Sequence, residues 1–384
     1  MQKAFDFTPL EQFLDKITAW RIPGNDMIIH YKGEEIFRHT SGYRNLEKKE
    51  PVRKDDIYLI FSATKLLTCT AALSLVETGD LVLTDPLWEY LPEFKEMYVN
   101  TQLPNGRYEL QRAKKDILLL DLFRMTAGFS YDTNSPSLQA YKEETNGLCP
   151  MRGFTKALSK EPLLFEPGTR WNYSLCHDVL GALIEEVSGK KFGVFLQEKI
   201  LDPVGMSDTH FFLPEEKNSR VSSQYRFDEE KNTRTFIGLE NDYRLGTEYE
   251  SGGAGLFSTV QDYIRFADTL CHWGKTKKGD YILSPASISL MRLNQLNEET
   301  KKGFNWSQLE GYGYGLGVRT LIDKAKGGIL SSVGEFGWSG AAGAFTFIDP
   351  ENELSVFYVQ HLRNSSEPYI HPRLRNVVYS ILRI

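Results

Sequence analysis

Ser62, Ala63, Thr64 and Lys65 place a hydroxyl and an amine three residues apart. On a helix that spacing returns both side chains to one face, one turn apart. A serine beside a lysine can form an acyl-enzyme without histidine, because a neutral amine accepts the hydroxyl proton as the oxygen attacks a carbonyl. If the serine opens the helix, its unpaired amide and the positive end of the helix dipole face the oxyanion that forms. Burial disfavours the ammonium and makes the lysine a usable base near neutral pH. On these four residues a plainer arrangement stays open, with Ser62 as a helix N-cap and Lys65 as a first-turn surface residue. The same spacing recurs at Ser188-Gly189-Lys190-Lys191, but there it closes a helix at a glycine, where lysines commonly face solvent.

Two other segments carry groups of a suitable kind. Tyr173, in Pro167-Gly168-Thr169-Arg170-Trp171-Asn172-Tyr173-Ser174-Leu175, supplies a second proton-transfer group if its phenol reaches Ser62 and Lys65; otherwise it is a core or rim residue. Gly337-Trp338-Ser339-Gly340-Ala341-Ala342-Gly343 precedes an apolar strand, and such small residues let a substrate approach a strand edge. One amide there can complete an oxyanion hole with the amide of Ser62; the alternative is a tight turn or bulge. There is no GxSxG elbow, no GxxxxGK[ST] phosphate loop and no HExxH helix. Histidines 30, 39, 177, 210, 272, 361 and 371 show no ligand spacing, so neither a metal nor an organic cofactor is expected.

These groups need a scaffold. Leu10, Phe13, Leu14, Ile17 and Trp20 predict an amphipathic helix ending near Pro23-Gly24. MIIHY and EEIFRHT, flanking Lys32-Gly33, predict a hairpin. A second hairpin is expected from GAFTFID and ELSVFYVQ, followed by a helix from Pro368 to Ile384. The ends most economically pair into one sheet, giving an α/β (α+β) fold: an antiparallel sheet flanked by N- and C-terminal helices, with a mostly helical second lobe. Residues 1–80 and 310–384 are assigned to the sheet lobe and 81–309 to the helical one, with the site between them. Within the middle, 62–78, 116–125 and 178–187 have helical spacing, whereas 100–108, 128–150 and 217–250 read as loops, the last as a lid or mobile surface loop.

The 384 residues include 41% hydrophobic and 25% charged side chains, with 31 Gly and 16 Pro, which excludes disordered and collagenous classes. A net charge of -6 makes nucleic acid an unexpected partner. Cysteines 69, 149, 176 and 271 suggest free thiols in a reducing compartment. With no signal peptide pattern and no run of about 18 apolar residues, a cytoplasmic protein without a membrane span is expected.

The segments FSATKLLTCTAALSLVETGDLVLTDPLWEYLPEF, LLLDLFRMTAGFSYD, PGTRWNYSLCHDVLGALIEEVSGKKFGVFLQEKILDPVGMSDTHF and GWSGAAGAFTFIDPENELSVFYVQ resemble, in order, the blocks of the serine beta-lactamase-like superfamily. This is the fold of class C beta-lactamases and penicillin-binding proteins, and the likeness is greatest to the family VIII carboxylesterases. The resemblance implies Ser62 as nucleophile, Lys65 and Tyr173 as the proton-transfer pair, and Ala341 as the second oxyanion donor. It implies Trp338, Ser339 and Gly340 as the substrate-binding third motif, with Trp338 at the pocket rim. Two departures bear on substrate. Leu175 stands where the lactamases have the Asn of Tyr-x-Asn, and Trp338 stands where they have a lysine that meets the substrate carboxylate. The resemblance therefore implies a serine carboxylesterase acting on a small-molecule ester or amide. Its rivals are a beta-lactamase, a D,D-peptidase or D-amino-acid peptidase, and an acyltransferase; outside catalysis, a penicillin-binding-like receptor.

Overall fold

Along Gly24–Tyr31, Met27 and Ile29 point to one face of a sheet and Ile28 to the other, following the two-residue period of a strand. The computed structural model describes residues 5–103, 105–364 and 366–384. In it, Gly24–Tyr31 pairs antiparallel with Glu34–Asn45 on one side and with Leu354–Gln360 on the other, Ile28 lying opposite Phe357. The full sheet has eight strands in the order Tyr312–Tyr314, Arg319–Leu321, Phe336–Gly337, Phe345–Asp349, Leu354–Gln360, Gly24–Tyr31, Glu34–Asn45, Glu50–Pro51. Every neighbouring pair is antiparallel. The two ends of the chain thus share one sheet, as their sequence patterns predict.

One face of the sheet is covered by the terminal helices. Thr8–Trp20 contributes Leu10, Leu14 and Ile17, and Glu367–Leu382 contributes Ile370, Leu374 and Val378. The other face buries Ile28, Ile348 and Phe357 against the helix Val260–Cys271, whose Tyr263 stacks on Phe357 with ring centres 4.1 Å apart. Beyond that helix, Thr64–Glu77 packs on Cys176–Ser188. Thr64–Glu77 is apolar almost all round, with Leu66, Leu67, Cys69, Ala71, Ala72 and Leu73 buried, which is the pattern of an enclosed helix. It stops at Thr78, followed by Gly79 at φ +79°, a conformation that glycine adopts without a Cβ penalty. No helix among the described residues is long and apolar enough to cross a membrane.

Three segments differ from their sequence reading. Residues 217–250 are not one long loop: after a short turn at Glu215–Arg220, Gln224–Asp228 and Thr233–Gly238 form a hairpin, and its first strand runs parallel to Leu362–Arg363. Tyr225 and Phe227 alternate inward to the core, a period masked in the sequence by the charged side chains between and around them. Residues 100–108 span the turn of a hairpin, Tyr98–Gln102 with Tyr108–Arg112; Pro104 lies outside the described residues. Residues 128–150 contain the helix Pro136–Glu144, and the helix expected over 116–125 is confined to Leu119–Phe123.

Candidate active site

Ser62 lies where a strand becomes a helix. Ile57–Leu59 pairs with Phe257–Thr259, and a single helical turn at Phe61–Ala63 then leads into Thr64–Glu77. Phe61, just before the serine, has φ +47°. Left-handed backbone at a bulky residue costs about 1–3 kcal/mol and persists where packing enforces it. Here the ring is fully buried, between Tyr243 and the guanidinium of Arg363.

Lys65 projects one turn along the helix from Ser62 and is completely buried. Its ammonium has three protons and three acceptors: Gly253 O at 2.7 Å, Tyr131 OH at 3.2 Å and Ser62 Oγ at 3.4 Å. The amine also stands 4.5 Å from the centre of the Tyr173 ring. Tyr131 and Tyr173 stack with centres 5.2 Å apart, and both phenols lie within hydrogen-bonding reach of Ser62. Their loops are tied together, since Leu175 N donates to Ser130 O at 3.2 Å and Asn172 Nδ2 to Phe129 O at 3.0 Å.

The third motif closes the group. Trp338 Nε1 donates to Tyr173 OH at 3.1 Å, and the indole is 2% exposed, so it lies inside the cluster and not at a rim. The more exposed aromatic here is Trp306, 37% accessible, which packs edge-on against Tyr173. Gly340 lies so close to the strand before Ser62 that a Cβ would come within 2.1 Å of Ile60 O. Gly343 N bonds Gly340 O at 2.8 Å and Gly340 N bonds Ala344 O at 2.7 Å, which leaves Ala341 at the outer corner of a turn packed beside Phe61. Ser339 turns to the carboxy-terminal helix, donating to Glu367 Oε2 at 3.2 Å.

The structure thus gathers Ser62, Lys65, Tyr173 and Trp338 into one hydrogen-bonded cluster, with Gly340 and Ala341 against its strand. Leu175 is buried in the core at the position discussed above. Sequence reasoning passed over Tyr131, Gly253 and Asp178, because a lone loop tyrosine, a glycine carbonyl and an aspartate in a helix have no spacing that marks them.

Burial governs the charges. It lowers the Lys65 amine from its ordinary range to about 7, against the opposing pull of Asp178. It pushes the Tyr173 phenol far up, the hydrogen bonds with Ser62 and Trp338 acting the other way; Tyr131 is raised in the same way. A neutral amine and an intact phenol therefore coexist beside one serine hydroxyl near neutral pH, an arrangement able to take a proton at one atom and give one at another. No group of three or more His, Cys, Asp or Glu among the described residues could hold a metal ion.

The family described as Beta-lactamase matches residues 10–378. The chain belongs to the beta-lactamase family. It is 33% identical over 328 residues to Protein Rv1367c of Mycobacterium tuberculosis (strain ATCC 25618 / H37Rv), covering 83% of this chain and 81% of that one. It is 26% identical over 360 residues to Esterase EstB of Burkholderia gladioli, covering 88% and 85%. Among solved structures, EstCE1, described as a hydrolase with promiscuous acyltransferase activity, superposes with a TM-score of 0.78 at 24% identity, covering 97% of this chain and 98% of its own. Relatives within this beta-lactamase family thus include esterases.

Proposed function

We propose that this protein is a serine carboxylesterase that passes the acyl group of a small or short-chain ester through Ser62. The observation that carries the reading is the fully buried Lys65 amine 3.4 Å from Ser62 Oγ, with acceptors for its other protons already in place. In the proposed sequence neutral Lys65 takes the hydroxyl proton and Oγ bonds to the ester carbonyl, while the amides of Ser62 and Ala341 face the oxyanion. As the tetrahedral intermediate collapses, the C–O bond to the alcohol breaks and Tyr173 gives its proton to the leaving oxygen; the Lys65 ammonium restores it. Water then repeats the cycle on the acyl-enzyme.

The site lies, in this reading, between a sheet lobe of residues 1–80 and 310–384, which supplies Ser62, Lys65 and the third motif, and a helical lobe of 81–309, which supplies Tyr131, Tyr173 and Gly253. Trp338 in place of a lysine favours neutral substrates, with Ser339 and Gly340 along the bound ester. The four free, buried cysteines suit a reducing compartment, and we place the protein in the cytoplasm. A second reading, transfer of the acyl group to an alcohol, is favoured by the aromatic enclosure, since Trp306, Trp338, Tyr131 and Tyr173 suit an apolar acceptor better than water.

The test is steady-state turnover of a p-nitrophenyl ester series and a chromogenic cephalosporin by the wild-type protein and Ser62→Ala. Sustained ester turnover that falls at least about a thousandfold in the alanine variant, with little lactam hydrolysis, is expected. Near-wild-type rates for Ser62→Ala reject the assignment. Faster lactam turnover moves the substrate class, and a single stoichiometric burst favours a receptor.

A further inference from the structure

Asp178, in the first turn of Cys176–Ser188, is a carboxylate 1% exposed, with no role in the sequence above. Ser251 Oγ donates to its Oδ1 at 2.7 Å, and Gly253 N lies 3.4 Å from the same oxygen. The carbonyl of that same Gly253 accepts from the Lys65 amine at 2.7 Å. A Cβ on Gly253 would sit 2.5 Å from Asp178 Oδ2 and 3.3 Å from Lys65 Nζ, so a residue without a side chain is all that separates the two charges. Asp178 makes no hydrogen bond to Lys65, whose three protons are already engaged. It acts on the amine through space, inside a region that excludes water.

We propose that Asp178 is a positioning residue that, across Gly253, sets the charge state of Lys65 and so the pH range in which the Ser62 hydroxyl can be activated. This rests on the Ser62–Lys65 reading given above. The other groups facing Lys65 cannot substitute for it. Cys69 on its own helix and Cys176 on the facing helix are thiols held neutral by burial, and His177 is held neutral in the same way, pushed down to about 3. Tyr131 and Tyr173 are phenols held protonated by burial, as is Tyr249, which faces Asp178. Among these, Asp178 is the group whose charge opposes the desolvation of the ammonium most strongly; burial raises its own carboxyl above the ordinary range, and Lys65, Ser251, Tyr249 and Gly253 N act the other way to favour the anion. Leu175 removes the amide expected one turn earlier, so the electrostatic partner of the lysine in this chain is a carboxylate beneath it and not an amide beside it.

The sign follows from that placement. An anion near an amine favours the protonated form, so removing it lowers the pH at which Lys65 becomes neutral. Asp178→Asn keeps an oxygen to accept from Ser251 and Gly253 and removes the charge. The experiment is the pH profile of kcat/KM on a neutral p-nitrophenyl ester, with native circular dichroism checked for each variant. The acid limb of Asp178→Asn is expected to move down by about one unit, so that its rate at pH 6, relative to its own plateau, rises about fivefold over wild type. Asp178→Ser, smaller and equally uncharged, removes the same anion and moves the limb the same way; should Asp178→Asn fail to fold, this variant decides. An unmoved or raised limb in the deciding variant overturns the proposal. Its failure is separable from that of the esterase reading, because wild-type, Ser62-dependent turnover is established first and is untouched by where the limb falls.

Discussion

The Trp338 indole N–H donates to the hydroxyl of Tyr173 at 3.1 Å, and the two rings stack at 28° with centres 5.7 Å apart. Trp338 carries no charge, and its N–H is spent inside the cluster, on the hydroxyl of Tyr173.

Trp338→Phe keeps most of the ring and removes the donor. It is expected to lower kcat about tenfold, the equivalent of one hydrogen bond's worth of barrier, with little change in KM. A p-nitrophenyl series of increasing acyl length measures this. Equal kcat values with a shifted chain-length optimum would show that Trp338 shapes the pocket and does not orient Tyr173.

The Lys65 amine, brought to about 7 by burial, loses its proton within the physiological range. With the neutral form as the proposed base, activity is expected to fall as pH drops through that value, and kcat/KM at pH 6 to be about a tenth of its plateau. A stopped-time assay on a neutral ester in constant ionic strength buffers measures the limb. A flat profile from pH 5.5 to 8 would falsify Lys65 as the group that takes the proton.

Gly340→Ala forces a Cβ to within 2.1 Å of the Ile60 carbonyl oxygen, a backbone atom with no side chain to swing aside. The link between the strand Ile57–Leu59 and Ser62 must shift, at a cost of about 1–3 kcal/mol. Both a lower thermal midpoint and a loss of turnover are expected, the latter larger than the drop in folded protein explains. A variant with wild-type rates would mean that the third motif need not touch this link.

Much of the scaffold was legible because its signals are local and periodic. Leu10, Leu14 and Ile17 declare a helix, Met27 to Ile29 a strand, and Gly79 and Gly189 the ends of two helices. Ser62, Lys65 and Tyr173 were legible as reactive types in suggestive surroundings. What escaped were contacts made by position alone. Tyr131 comes to Lys65 because Ser130 and Phe129 are bound to residues 172 and 175, and Asp178 because a glycine carbonyl lies between. The hairpin within 217–250 escaped because its inward Tyr225 and Phe227 are set among charged residues, so its alternation reads as polarity.

The pairing of Asn25 with Gln360 and of Ile28 with Phe357 also dictates a timetable. During synthesis the strand Gly24–Tyr31 emerges more than 300 residues before its central partner Leu354–Gln360. Contacts between such distant segments form slowly, since a long loop must close before they gain anything. Ser62 likewise precedes the turn at Ala341 by more than 270 residues, so the parts of the proposed site are brought together only when the sheet closes. Until Leu354–Gln360 is in place, one edge of Gly24–Tyr31 has only water to satisfy its backbone groups, while its other edge is already paired with Glu34–Asn45.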